Sequence, residues 1–150
     1  MRIYLDNCAF NRPYDDLSRL SVNLEAQAKL QIQYWIRDGR FALVSSEMLM
    51  KEIGDCPFEI RRKGIRAFVE ENSSLHIGAG NNPRIDLMAR EIMKSGVKYK
   101  DACHVASAIL GDCAYLITTD KRLLNYRSEK LKLVDPIQFV SEMEEVGPHV

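Results

Sequence analysis

The chain has 150 residues and carries 21 Lys plus Arg against 21 Asp plus Glu, so its formal net charge at pH 7 is zero. This length fits one domain that buries about two-thirds of its unfolded surface, and we predict a single domain over residues 1–150. The balanced charge excludes a general attraction to nucleic acid, so any such binding depends on a local patch. No apolar segment approaches the roughly 18 residues of a membrane span, and we expect a cytosolic protein without membrane contact.

The cysteines stand at positions 8, 56, 103 and 113, without a CxxC pair or a paired Cys/His spacing. This pattern disfavours both a zinc site and a disulfide framework. We therefore expect reduced, partly buried thiols.

The first predicted elements are a short strand and a long helix. Arg2 to Leu5 is a strand that stops at Asp6, and a polar loop with turn residues follows. Residues 20–36 alternate as a strand would, but their length and their helix-forming residues favour a helix ended by Gly39. Its expected buried stripe consists of Leu20, Leu24, Ala28, Ile32 and the pair Trp35/Ile36.

The rest of the chain continues the alternation of strands and helices. The predicted elements are a strand over 41–45, a short helix capped by Ser46 and reaching Gly54, a helix over 59–72, a strand over 74–77, a loop over 78–83, a helix over 85–94, a buried helix that follows Asp101 and ends at Gly111, a strand over 114–118, a short helix over 121–126, a strand over 131–134 and a terminal helix over 136–145. This order predicts a mostly parallel sheet covered by helices on both faces.

Acidic residues fall where predicted strands end and helices begin. Asp6 and Asp120 each follow a strand, and Asp101 opens a helix. Because ligands of open α/β sheets bind beyond the carboxyl ends of the strands, we expect Asp6 and Asp120 to converge there. The alternatives are a helix cap for Asp120 and an ordinary first-turn acid for Asp101.

Converging carboxylates need a counter-charge. Two of them about 4 Å apart repel by roughly 4 kcal/mol at an effective dielectric near 20, and protonation or a divalent cation must relieve this repulsion. Ligands that are all oxygen favour Mg²⁺ or Mn²⁺, which keep several waters and commonly meet phosphate oxygens.

Four segments together resemble the PIN domain, a family of metal-dependent nucleases that includes many toxin-type ribonucleases of bacteria and archaea. These segments are, in order, IYLDNC, SSEMLMKEI, KDACHVASAI and LITTDKRLL. The resemblance implies a three-layer α/β/α domain with a central, mostly parallel sheet and an acidic pocket that holds Mg²⁺ or Mn²⁺. Matched position by position, the four acids of the family fall on Asp6, Glu52, Asp101 and Asp120, and its hydroxyl residue before the last acid falls on Thr119.

Two positions in the match leave alternatives open. Glu52 precedes Ile53 as the family pattern prefers, but Glu47 lies on the same short helix and remains an alternative second acid. Asn7 stands where many family members have Thr or Ser, so a minor polar contact differs while the four acids are kept.

The activity that the resemblance implies is metal-dependent hydrolysis of RNA phosphodiester bonds, with the four acids binding metal and supporting catalysis. The implied partners are an RNA substrate, a small antitoxin protein and a second copy of the chain. One alternative is a PIN-like module that binds RNA or protein without catalysis. Another is a phosphotransfer domain with Asp6 as nucleophile, which is weakened because Cys8 stands where a second Asp is expected.

Several further side chains are candidates for weaker roles. We expect Lys121, Arg122, Thr119 and Arg12 to contact substrate, because they lie next to Asp120 or in the loop after Asp6. The basic run of Arg61, Arg62, Lys63 and Arg66 is predicted to be a solvated helix face rather than an RNA contact. His104 is predicted to be a packed, hydrogen-bonded histidine, and His76 and His149 are weaker candidates.

Overall fold

A five-stranded parallel sheet organises the chain in this computed structural model, which describes residues 1–146; His149 lies outside the described residues. The strands are β1 (Arg2–Leu5), β2 (Ala42–Ser46), β3 (Ser73–Ile77), β4 (Tyr115–Ile117) and β5 (Lys132–Val134). The helices are α1 (Asn7–Asn11), α2 (Leu20–Arg37), α3 (Glu47–Gly54), α4 (Glu59–Asn72), α5 (Asn82–Met93), α6 (Tyr99–Leu110) and α7 (Pro136–Val146). Short 3-10 turns occur at Arg12–Tyr14, Ala79–Asn81 and Leu123–Asn125.

The strand order β3-β2-β1-β4-β5 places β1 at the centre of the sheet. Connections between parallel strands are right-handed. The two connections that lead from β1 to β2 and from β2 to β3 contain α2 and α4, and these helices therefore cover the same face of the sheet. The returning connection to β4 carries α5 and α6 over the other face, and α7 packs against α2. The predicted three-layer α/β/α arrangement is therefore confirmed.

The order of the strands reverses between β1 and β4, where the chain has left β1 toward β2 and later returns across it. The two strands pair in register, with Leu5 opposite Ile117, and their carboxyl ends lie side by side. A reversal of this kind opens a crevice beyond the strand ends, which is the usual binding position in open α/β sheets. The first and last predicted acids flank this crevice.

The predicted stripe of α2 is wrong in its first half. Leu20 is 73% exposed and Leu24 is 44% exposed, so neither belongs to the core. Apolar residues occupy nearly every second position there, so more than one stripe is compatible with a helix. The buried residues of α2 are Val22, Ala26, Ala28, Lys29, Ile32, Trp35 and Ile36, which include the second half of the predicted stripe.

Two short segments also differ from their predictions. The expected loop after Asp6 instead contains α1 and a 3-10 turn, because the Asp6 carboxylate caps α1 by accepting the Ala9 N–H at 3.0 Å. The expected helix over 121–126 is reduced to the turn Leu123–Asn125, because the chain becomes extended at Tyr126 on its way to β5.

The core contains one lysine, Lys29, which is 4% exposed on the inner face of α2. Its Nζ lies 5.4 Å from the ring centroid of Phe10 and 5.6 Å from that of Phe68, and it donates to Gln33 Oε1 at 2.5 Å. Burial, with a smaller contribution from the charge of Arg37, lowers its pKa to about 8. The aromatic faces offset only part of the cost of burying this ammonium group.

The four cysteines are free thiols, with Cys103 and Cys113 buried, Cys56 partly buried and Cys8 exposed. Between residues 1 and 146, the helices lack the combination of length and apolar character that a membrane span requires.

We predict that Lys29→Met stabilises the protein at neutral pH. The folded pKa of about 8 lies below the ordinary value of 10.5, so the unfolded chain binds the proton more tightly and wild-type stability rises as pH increases from 8 to 10.5. The variant should gain up to about 3 kcal/mol at pH 7, and this gain should shrink toward pH 10. Urea unfolding at both pH values measures it, and an equal gain at both would contradict this explanation.

Candidate active site

Thr118 joins the ends of β1 and β4 through its side-chain hydroxyl. This fully buried Thr118 donates from Oγ1 to Asp6 Oδ2 at 2.5 Å and accepts the backbone N–H of Asp120 at 3.0 Å. The backbone N–H of Asp6 also donates to the carbonyl of Ile117 at 3.2 Å. Asp6 and Asp120 are therefore brought together at the sheet edge, as the sequence predicted.

The threonine that joins the two acids is not the one that matches the family pattern. Thr119, which matches that pattern and is predicted to contact substrate, is 9% exposed, and Thr118 makes the contacts to both acids. Thr118 directly continues the buried run of β4, which is the signal in the sequence for a buried side chain at the end of this strand.

Asp120 also caps the turn that follows it. Its Oδ1 accepts the N–H groups of Arg122 at 2.9 Å and Leu123 at 3.4 Å. The cap predicted as an alternative is thus present, over a single turn. A capping role fixes the direction of the carboxylate and is compatible with its position beside Asp6.

Glu52 reaches the same region from α3, which begins directly at the end of β2. Its Oε1 contacts Nε2 of His104, whose side chain is 2% exposed. Nδ1 of His104 lies 2.5 Å from the hydroxyl of Tyr4, and that hydroxyl lies 2.6 Å from Oγ of Ser46. Ser46 in turn caps α3 by accepting the Leu49 N–H at 3.1 Å.

These contacts form one continuous chain of hydrogen bonds. The Tyr4 hydroxyl lies between Ser46 and Nδ1 of His104, and Nε2–H of His104 donates to Glu52. His104 therefore holds the Glu52 carboxylate in place. The prediction of a packed, hydrogen-bonded His104 is confirmed.

The structure separates the two glutamates that the sequence left as alternatives. Glu47 is half exposed and pairs with Nε2 of His76 at 2.9 Å, while His76 Nδ1 lies 2.8 Å from Ser45 Oγ. Glu52 instead contacts His104 and acts electrostatically on Asp101. The geometry thus groups Glu52, and not Glu47, with the other acids.

Asp101 completes the group from the first turn of α6. This helix runs back toward β4, so its N-terminus lies at the carboxyl edge of the sheet. Partial burial raises the pKa of Asp101, and the charges of Asp120 and Glu52 raise it further.

Asp6 is 2% exposed, and burial raises its pKa to about 6, against the opposing effects of His104, Thr118 and the Ala9 N–H.

All four predicted acids act electrostatically on the thiol of Cys8. Although Cys8 is exposed overall, its pKa is raised to about 12, first by partial desolvation and then by four negative charges. Those charges belong, in order of effect, to Asp6, Asp120, Asp101 and Glu52. The four predicted acids therefore share one electrostatic neighbourhood.

The donor set fits a hydrated hard cation. Within residues 1–146, no three Asp, Glu, His or Cys side chains are close enough to form a ready-made metal-binding group. Mg²⁺ usually keeps several waters and binds through only one or two carboxylates, so a cluster of oxygen donors without a tight triad suits it better than a cage-forming metal. Burial is the first cause of the raised pKa values of Asp6 and Asp101, and a cation bound beside them would lower both pKa values.

Two clefts flank the acids. One has a volume of about 370 Å³, and its lining includes Asp101, Asp120, Lys98, Arg122 and Arg127. The other has a volume of about 310 Å³ and is lined on the opposite side by residues that include Glu52 and Lys100. Each cleft thus combines acids of the cluster with basic side chains.

The four predicted substrate contacts have different environments. Arg122 is exposed and lines the first cleft, and Lys121 beside it is also exposed. Thr119 is almost fully buried. Arg12 is paired with Asp15 at 3.1 Å and lies 3.8 Å from Glu25, so its charge is already neutralised within the fold.

The basic run on α4 is largely engaged in local contacts. Lys63 pairs with Glu59 at 2.7 Å on the exposed face, and Arg62 donates to the carbonyl of Cys56 at 2.9 Å. Arg61 donates to the carbonyl of Tyr14 at 2.8 Å. These contacts agree with a surface helix face, except that Arg61 also lines the second cleft.

Comparison with solved structures supports the fold. The chain is similar to one in the crystal structure of VapBC2 from Rickettsia felis bound to a DNA fragment from their promoter, with a TM-score of 0.54. The match covers 90% of this chain and 98% of the other at 12% sequence identity. No protein-family model matches the sequence, and no curated protein matches it. The likeness is therefore one of fold.

We predict that Asp6→Asn stabilises the protein above pH 6. The folded pKa of about 6 exceeds the ordinary 3.8, so the folded state binds the proton more tightly and wild-type stability falls as pH rises through this interval. The variant keeps an oxygen to cap α1 and should gain up to about 3 kcal/mol at pH 7.5, with little gain at pH 4. Urea unfolding at the two pH values tests this, and a pH-independent effect would count against it.

Proposed function

We propose that this protein is a toxin-type, PIN-like endoribonuclease that uses Mg²⁺ or Mn²⁺ to hydrolyse RNA phosphodiester bonds. The observation that carries the proposal is the grouping of Asp6, Glu52, Asp101 and Asp120 at the crevice between β1 and β4. Keeping four acids together, with the pKa values of Asp6 and Asp101 raised, is costly to a fold that has no cation to bind there. The VapBC2-like fold supports the class of protein.

In this proposal the four acids have different roles, because their surroundings differ. The cation, when bound, supplies an electrophile for the phosphate oxygens and lowers the pKa of water. Asp6, Asp101 and Asp120 would hold it directly or through water. Glu52, held by His104, is placed to orient the attacking water and accept its proton as the phosphorus–oxygen bond to the leaving ribose breaks.

The basic residues around the acids suit a polyanionic substrate. Lys98, Arg122 and Arg127 line the cleft that Asp101 and Asp120 share, so phosphates next to the scissile bond can pair with cations there. The proposal also includes an antitoxin partner, because the similar structure is a VapBC2 assembly on promoter DNA. A homodimer, which the family resemblance implies, remains a prediction.

We expect Asp101→Asn to abolish RNA cleavage. The test incubates labelled RNA with Mg²⁺ or Mn²⁺, with and without chelator, and follows product formation. Wild type should cleave only with the metal, and the variant should be slower by at least about 100-fold, the scale of a lost catalytic group.

The matched control is Asp112→Asn, which makes the same change just beyond the other end of α6. Asp112 is exposed and has a φ of 55°, a conformation that Asn tolerates well. The cleavage rate of the Asp112→Asn variant should stay within about twofold of the wild-type rate, since Asp112 is remote from the acids. Intact RNA that remains bound by the wild-type protein would instead support a silent binding module.

A second pair of variants tests which glutamate belongs to the site. Glu52→Gln keeps an oxygen for His104 but loses the negative charge, so we expect a rate loss of about 100-fold or more. Glu47→Gln makes the same change on the same helix, where the carboxylate pairs with His76, and should leave the rate nearly unchanged. Equal losses in the two variants, measured by the same cleavage assay, would refute the assignment.

A further inference from the structure

The cleft on the Glu52 side contains a surface suited to a nucleobase. It lies between α1 and the start of α4, and Glu52, Asn7, Asn11, Phe58, Arg61 and Lys100 line it. One of the four acids therefore lines this cleft, while Asp101 and Asp120 line the other. An extended strand bound at the acids would enter both clefts.

Phe58 is the large aromatic side chain of this cleft. It is 60% exposed, although Arg61 lies over its ring with the guanidinium carbon 5.0 Å from the centroid. The guanidinium covers one face, so the accessible surface lies mainly on the other face and the edge. An aromatic ring backed by a cation in this way offers a flat surface for base stacking.

The position of Phe58 is fixed by contacts behind it. Arg61 also lies over the ring of Tyr14, 5.4 Å from its centroid, and donates to the Tyr14 carbonyl. Gly64 allows this approach, because a Cβ at that position would lie 2.8 Å from the Tyr14 hydroxyl oxygen. The loop that carries Phe58 is held by Arg62, which donates to the Cys56 carbonyl. Because Arg61 is held in this way, little entropy is lost in ordering it when a ligand stacks on Phe58.

The polar residues of the cleft match the remaining parts of a nucleotide. Lys100 is exposed in the first turn of α6 and lines the cleft, where it can pair with a phosphate. Asn7 and Asn11 present amide groups, and Asn11 Nδ2 donates to Asn7 Oδ1 at 2.9 Å. Glu52 and Asp55 repel phosphate at their side of the cleft, so the phosphate should lie toward Lys100 and Arg61.

We propose that this cleft binds one unpaired nucleotide of a single-stranded RNA substrate, with its base stacked on Phe58 and its phosphate near Lys100. The inference rests on the proposed function for the identity of the polymer. Single strands are favoured over duplex because a stacked, paired base cannot expose its face to a protein ring.

The test measures RNA binding apart from cleavage. Fluorescence anisotropy measures how tightly a labelled oligouridylate binds to the whole protein in the presence of chelator. The oligonucleotide has about twelve nucleotides, which is within the site sizes usual for single strands. Phe58→Ala should weaken binding about 10-fold, since one base–aromatic stack contributes about 1–3 kcal/mol. Phe58→Trp should restore affinity to within about twofold, because it keeps the stacking surface.

The matched control is Ile60→Ala. Ile60 is 85% exposed two residues further along, outside the cleft, so its loss removes a similar exposed apolar side chain without touching the proposed subsite. Thermal melting of each variant verifies that the fold is kept. Equal affinities of the Phe58→Ala and Ile60→Ala proteins would overturn the proposal and would leave the cleft to another occupant, such as a protein segment.

The outcome separates this inference from the proposed function. Metal-dependent cleavage with an unchanged KM in Phe58→Ala would overturn the nucleotide subsite and leave the nuclease intact. A protein that binds RNA through Phe58 but never cleaves it would overturn the nuclease and support the subsite.

Discussion

The hydroxyl of Thr118 is the contact on which the arrangement of the site depends. It donates to the Asp6 carboxylate and accepts from the backbone of Asp120, so one buried side chain sets the spacing between the first and last acids. This contact is possible only because β1 and β4 are neighbours that end together. The reversal of strand order thus turns two residues remote in sequence into one local group.

The other two acids reach the same point by different physical means. Asp101 arrives on the first turn of α6, where the helix dipole favours a negative charge. Glu52 is held through the buried chain of Ser46, Tyr4 and His104, which links the end of β2 to the side chain of α3. Burial and mutual repulsion raise carboxyl pKa values in the group, so the fold keeps these charges together at a cost to its own stability.

Much of this arrangement was predictable from sequence, and the errors have physical reasons. Strand ends marked by Asp6 and Asp120 and the helix start at Asp101 were visible because apolar runs stop there. The family match includes Thr119 but not Thr118, because it compares residue positions and gives no information on which hydroxyl contacts the acids. The prediction that Leu20 is buried is wrong, because helix periodicity alone does not identify the inward face when several stripes of the helix are apolar. A packed, hydrogen-bonded His104 was predictable, but its partners were not, because the network joins residues of four separate elements.

The central claim is that four separate acids form one site for a hard cation. Titration with paramagnetic Mn²⁺, followed by amide signals in nuclear magnetic resonance, tests it most directly because the ion broadens signals only from nearby residues. The account predicts that signals around Asp6, Glu52, Asp101 and Asp120 broaden together at the lowest Mn²⁺ concentrations and that excess Mg²⁺ reverses the effect. Broadening confined to other acidic surfaces, with these four segments unaffected, would contradict it.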